Sequence, residues 1–243
     1  MVDPRVLEPI AARAWRAANE SAVGGWRLYA SDGYSGRINA CWPTEAPDCA
    51  LHEALDRTEA WYAARGLKSI FKVVESCAEP PGLIDALSAR GYHPHTETLM
   101  MVGPLLGEAD SEVLIADRAD SAFEAVFVAA GTGGPLDARE RLDALGRIVP
   151  PRGFARMEIG GSPAAIGACA VEGRWVGVFG MRTAPNHRRK GLARRLFGAL
   201  TAFGREAGAE QGYLQVEADN APAIALYAAA GFEEAYRYRY WSR

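Results

Sequence analysis

The chain has 243 residues and offers little that points to a membrane, a zinc site or a disulfide framework. No apolar run approaches the roughly 20 residues needed to span a bilayer. Its first residues lack a basic stretch followed by an apolar one, so they do not read as a secretory signal. There are four cysteines, Cys41, Cys49, Cys77 and Cys169, and none forms a C-x-x-C pair. In a chain of this length that pattern points to reduced thiols in a cytoplasm and to no metal. A net charge of −3 excludes a global pull toward nucleic acid or an anionic membrane. What is present is ordinary globular material, 49% hydrophobic and 23% charged, enough for one large domain or two of usual size. The default expectation is a soluble cytoplasmic protein.

A Gly/Pro/acid-rich stretch, residues 103–112, separates two halves and reads as a linker or a long surface connection. Each half repeats one order of signals. In the second, 154–159 and 164–171 read as a hairpin, and 175–181 as a strand ending near Pro185. A helix follows, with Leu192, Leu196, Ala199, Leu200 and Phe203 on one face and Gly208 as its stop. Residues 213–217 form a strand, 222–230 a helix closed by Gly231, and 235–241 a last strand. In the first half, 25–30 and 35–42 read as a hairpin around Asp32-Gly33. Helices are expected over 52–65 and 81–90, and strands over 69–74 and 96–102. Pro43, Gly66 and Gly91 recur as Pro185, Gly208 and Gly231 at spacings of 142, 142 and 140 residues. The expectation is two copies of one α/β fold in tandem, residues 1–103 and 112–243.

The copies differ in chemistry. After Pro185 the chain reads Asn-His-Arg188-Arg189-Lys190-Gly191-Leu192-Ala193, between a strand and a helix. The first N–H groups of a helix have no intrahelical partner and, with the helix dipole, make an anion site. Gly191 lets the backbone approach a phosphate, Ala193 keeps the first turn narrow, and three cations add positive potential. After Pro43 the chain instead carries Glu45 and Asp48 and no glycine cluster, so one site is expected, not two. A nucleotide P-loop and a G-x-G-x-x-G pattern are both absent.

Pro185-x-x-Arg188-x-x-Gly191-x-Ala193, followed by Asn220-x-x-Ala223-x-x-Leu226-Tyr227-x-x-x-Gly231-Phe232, resembles the paired signature of the GNAT acetyltransferase superfamily. The resemblance covers roughly residues 112–243; more weakly, the whole chain is similar to tandem GNAT proteins whose N-terminal copy is degenerate. Ala193 stands where many members have Gly, and Thr183 where an apolar residue is commoner. The resemblance implies two GNAT-like mixed-sheet domains, each a central, mostly antiparallel sheet flanked by helices. It also implies acetyl-CoA as acyl donor and no metal. Met181, Arg182 and Thr183 would offer backbone groups to the pantetheine arm, and Arg188 to Ala193 would hold the pyrophosphate. Asn220 would hydrogen-bond the pantetheine or thioester region, with Ala223 in the same motif, and Tyr227 would protonate the departing thiolate.

Direct transfer to an amine needs no covalent enzyme intermediate when the amine is held against the thioester. Glu217, ending its strand beside Asp219 and Asn220, is a candidate base, or a carboxylate satisfying nearby backbone. His187 reads as a surface residue, and Cys169 as core. Asp137, Glu140 and Asp143 could draw in a cationic amine, but the solvated face of a helix is the better reading. The three tyrosines of Tyr236-Arg-Tyr-Arg-Tyr240 share one strand face and line the acceptor pocket or pack against the first copy. The acceptor site is expected opposite the cofactor, walled by residues 130–135, the helix 136–148 and the N-terminal copy. The function expected is transfer of an acetyl group to a primary amine, on a small molecule or a protein, by a monomer or homodimer. An acyl-CoA-binding sensor or scaffold without turnover is the alternative.

Overall fold

The computed structural model describes residues 2–243. Asp3 accepts a hydrogen bond from the Arg5 N–H at 2.9 Å and Pro4 takes the first helical position, which starts α1 (Pro4–Ala14). In chain order there follow β1 (Asn19–Val23), β2 (Trp26–Ala30), β3 (Cys41–Trp42), α2 (Leu51–Ala63), β4 (Phe71–Val73), α3 (Leu83–Ala89) and β5 (His93–Pro104). Then come β6 (Val113–Ala116), α4 (Ser121–Ala129), α5 (Gly134–Gly146), β7 (Arg152–Ile159), β8 (Ser162–Glu172) and β9 (Trp175–Thr183). The chain closes with α6 (Leu192–Glu206), β10 (Gln211–Glu217), α7 (Ala221–Ala229) and β11 (Glu233–Ser242). Among the described residues no helix is long and apolar enough to cross a membrane.

The elements form two compact units that interleave in sequence. One takes the chain up to Met100 together with Glu217–Asp219 and Ala235–Arg243; the other takes Met101–Val216 and Asn220–Glu234. The strand order is β1-β2-β3-β4-β11-β5 in the first unit and β5-β10-β9-β8-β7-β6 in the second, with β5 passing from one to the other. Each contains the same piece of topology, a strand, a helix and a second strand parallel to the first. It is β3-α2-β4 in one, with Cys41 opposite Phe71, and β9-α6-β10 in the other, with Val176 opposite Gly212.

In the first unit β1 pairs with β2, Val23 opposite Trp26, and the expected pair over 25–30 and 35–42 forms only at its open end, Arg27 opposite Trp42 and Leu28 opposite Cys41. Only Cys41–Trp42 of that second segment is strand, and Gly36–Ile38 is a single 3-10 turn. The reason is Asn39, whose side-chain oxygen accepts from the N–H groups of Ser31 and Gly33 at 2.7 and 3.0 Å. Its amide also donates to the Ser35 carbonyl at 2.8 Å, which ties the segment into a closed loop. Trp26, Leu28, Tyr62, Phe71, Leu87, Tyr92 and Trp241 form the core. Tyr236, Tyr238 and Tyr240 are all buried in this unit. Beside them lies a buried ion pair, Lys72 with Glu8, each only 1% exposed. The Lys72 ammonium sits 3.8 Å from the Trp42 ring and 4.0 Å from that of Tyr238, and the Tyr236 hydroxyl donates to Glu8 Oε1 at 2.9 Å.

In the second unit β8 is lined with small residues, which lets α6 approach closely. A Cβ on Gly167 would stand 2.8 Å from Leu196 Cδ2, and one on Gly204 of α6 would stand 2.6 Å from Val176 Cγ1 of β9. The glycine- and acid-rich stretch between the halves is a clamped surface connection. Arg205 Nη1 donates to the carbonyls of Leu105 and Gly107 at 2.6 and 2.8 Å, and Arg195 pairs with Asp110 at 2.7 Å and with Glu112. Five charge-assisted bonds of this kind hold it on α6.

Candidate acyltransfer site

The site in the second unit is made by strands that start together and then part. β9 and β10 are parallel, paired from Trp175 with Gln211 to Val178 with Leu214. Beyond Val178 the β10 side of β9 has no strand partner among the described residues, while β9 stays bonded to β8 as far as Thr183 opposite Ala165. A bulge lies in that stretch, where the register with β8 shifts between Ile166 and Ala168 and Gly180 adopts φ +59°. Only a residue without Cβ takes that conformation at no steric cost. The result is a wedge with an open backbone edge along Met181, Arg182 and Thr183, which can accept another extended chain as an added strand.

The edge leads to the basic loop. Pro185–His187 forms a 3-10 turn, Arg188 is extended, and Arg189 has φ +59°. Gly191 caps α6 in the left-handed region at φ +76°, and no side chain caps the helix. The first α6 N–H groups, at Leu192 and Ala193, are therefore left for an anion. A Cβ at Gly191 would meet nothing within 4 Å, which is what a position facing a ligand requires. Arg188, Arg189 and Lys190 are exposed, and Leu192 is buried under the loop. His187 is half-buried rather than fully at the surface, and its Nδ1 is enclosed.

Asn220 is exposed and caps α7, its side-chain oxygen accepting from the Ala223 N–H at 3.3 Å; Pro222 follows in the first turn. One turn further, Tyr227 is 9% exposed with its ring 5.1 Å from that of Phe197 on α6. Burial pushes its phenol up to about 12, so it is protonated at any physiological pH. Glu217 ends β10, is exposed, and belongs with the first unit. Cys169 is fully buried, and desolvation raises its thiol to about 12, a core residue and no nucleophile. Cys41 is buried too, with its thiol pushed up. Among the described residues no group of His, Cys, Asp and Glu is placed to hold a metal ion.

The acids of α5 depart from the solvated face expected of them. Asp137 and Glu140 are buried and only Asp143 is exposed. Asp137 turns back against Gly133 at the start of its own helix and pairs with Arg141 at 2.7 Å. One feature was invisible to periodicity, the half-buried Arg182 side chain; sequence reasoning valued only its backbone. The signal that could have found it is the glycine pair Gly177 and Gly180 in an apolar strand, which marks a bulge.

This architecture is that of the GNAT acyltransferases. A GCN5-related N-acetyltransferase from Kribbella flavida matches with a TM-score of 0.71 at 21% identity, over 97% of this chain and 94% of its own. A tandem GNAT protein from the clavulanic acid biosynthesis pathway matches with a TM-score of 0.62 at 15% identity, over 98% and 87%. At those identities the likeness is one of fold. Sequence narrows it: residues 2–241 match the family described as probable histone acetyltransferase Rv0428c C-terminal, and the chain belongs to that family. It is also 26% identical over 247 residues to YobR of Bacillus subtilis, described as an uncharacterized N-acetyltransferase, across 99% of this chain and 98% of that one. The protein is an acetyltransferase of the GNAT type.

Proposed function

We propose that the enzyme moves an acetyl group from acetyl-CoA to a primary amine, on a small molecule or a protein, by direct attack. The observation that carries this reading is the unpaired edge of β9 running into the Gly191 loop. The edge suits an amide-bearing arm laid alongside it, and the loop suits a pyrophosphate at the arm's end. Arg188, Arg189 and Lys190 supply the positive potential that the phosphates need.

In the reaction proposed, the neutral amine nitrogen attacks the thioester carbonyl, forming the C–N bond. The C–S bond then breaks, and Tyr227 gives its phenolic proton to the departing sulfur. The amine's surplus proton passes to water, and a proton from solvent restores Tyr227. A thiolate is a fair leaving group, so a weak acid suffices; what Tyr227 contributes is a proton held in place.

A single donor site is supported by the first unit's own chain. Its β4-to-α3 connection is longer than the β10-to-α7 one, and within it the Glu79 N–H donates to the Pro43 carbonyl at 2.9 Å. The Glu79 carbonyl in turn accepts from Trp26 Nε1 at 2.7 Å. The edge just past β3, matching the open edge of β9, is thus taken by the protein itself. Calorimetry with acetyl-CoA tests the reading, with ATP as control and release of CoA thiol followed across an amine panel. Heat with acetyl-CoA alone, lost in Gly191→Val, is expected; no heat with acetyl-CoA sinks the proposal.

A further inference from the structure

Arg182 is held ready for a partner that the protein does not supply. We propose that its guanidinium binds a carboxylate on the acceptor, so that the enzyme selects amines carrying a free carboxylate near the nucleophilic nitrogen. This deepens the acetyl-transfer reading and rests on it.

The first support is position. Arg182 lies on the part of β9 whose β10 side is open, directly after Met181. The Met181 sulfur sits at Gly167, where Leu196 and Leu200 of α6 also converge. By strand alternation Arg182 points to the other face, and there its guanidinium carbon lies 3.5 Å from the Phe127 ring centroid on α4. One N–H donates to the Phe127 carbonyl. Stacking fixes the plane of the fork, and four of its five N–H donors remain, enough for a two-point grip on a carboxylate. Gly131 makes room for the guanidinium itself: a Cβ there would come within 2.7 Å of Arg182 Nη1 and push it off the Phe127 carbonyl.

The second support is charge. The charges acting on Arg182 are Asp137 and Arg141, and the Asp137 carboxylate already bonds Arg141 at 2.7 Å. Asp137 is bonded to Arg141 and acts on Arg182 only as a nearby charge. Burial first and Arg141 second bring the Arg182 pKa down to about 10, as for a cation short of its counter-ion. Arg195, in the same unit, is the contrast. Bonded to Asp110 and Glu112, it is pushed up instead. Arg195 has its anions; Arg182 has one nearby, bonded to Arg141. A half-buried cation in that state favours an incoming anion, because the ligand supplies the missing charge.

The experiment compares α-amino acids and dipeptides that have free carboxylates with the same compounds as amides, by release of CoA thiol. Wild type is expected to favour the carboxylates at least tenfold in kcat/KM, mostly through KM. Arg182→Gln should erase that preference, and Arg182→Lys should keep only part of it. A role confined to anchoring α4 would lower stability and leave the carboxylate-to-amide ratio alone. In parallel, phenylglyoxal modification of Arg182 in the wild-type protein is mapped by mass spectrometry. N-acetylated amino acids should protect Arg182 and their amides should not, a readout that needs neither turnover nor a folded variant. Equal use of acids and amides, an unchanged ratio in Arg182→Gln, or equal protection overturns the proposal. Failure of wild type to bind acetyl-CoA would instead overturn the donor assignment, a separate result read by calorimetry.

Discussion

Burial separates the residues that can serve acyl transfer from those that only resemble catalytic ones. Cys169 and Cys41 carry nucleophilic atoms, but both thiols are pushed up by desolvation and neither is exposed. Tyr227 is raised by the same cause, to about 12, and for a proton donor that is the useful direction. The sign is simple. The fold favours the neutral phenol, so this contribution to stability is whole below about pH 10 and is lost as pH rises toward 12. Tyr227→Phe should lower kcat on the order of 10²-fold while leaving acetyl-CoA affinity unchanged. Below pH 10 the variant's rate profile should keep the wild-type shape at a lower height. An alkaline fall in wild type that Phe removes would show that Tyr227 ionises in the working range. The motif residues were legible because glycine, proline and tyrosine at fixed spacing describe backbone needs that do not depend on distant partners. The Arg182 side chain was not legible, since its setting is made by Phe127 and Asp137, 55 and 45 positions away.

Among elements, α6 against the sheet fixes where the basic loop before Leu192 points. Its amphipathic spacing was plain in the sequence, and the helix runs as expected, with Gly208 at φ +95° behind it. Less plain was why Gly204 interrupts its apolar face. A side chain there would meet the Val176 side chain, so helix and strand touch through a glycine. Gly204→Ala should therefore destabilise the second unit by about 1–3 kcal/mol, although alanine is the better helix former. A melting temperature lower by several degrees would confirm this; an unchanged or higher one would show that the helix can slide outward at no cost. The short elements of the first half were the least readable. Asn39 turned most of an expected strand into a loop, and β1 carried a signal too brief to separate from its surroundings.

At the scale of the molecule, the repeat seen in spacing is also present in topology, as β3-α2-β4 and β9-α6-β10. Local pattern had no means of showing which unit each strand would join. β11 alternates Tyr and Arg wherever it lies, and only tertiary pairing puts Arg239 opposite Val73 and Trp241 opposite Phe71. Trp241 joins the first unit's core, Tyr236 bonds buried Glu8, and Arg239 pairs with Glu97 at 2.7 Å. Removing residues 235–243 should consequently expose the first unit, even though every residue before Met100 is intact. Amide exchange checks this. Loss of protection in α1, β2 and α2 is expected, and full protection there would show that β11 only decorates the unit.

The exchange of strands also has a meaning in time. A chain synthesised from its N-terminus releases the first hundred residues well before the last nine, by on the order of ten seconds at usual elongation rates. Through that interval β4 has no β11 beside it, and Lys72 and Glu8 lack the tyrosines that enclose them. The unit begun first thus waits on residues 235–243 for its completion. A stop codon at position 235 would keep Gly191, Asn220 and Tyr227 and leave the first unit without its last strand.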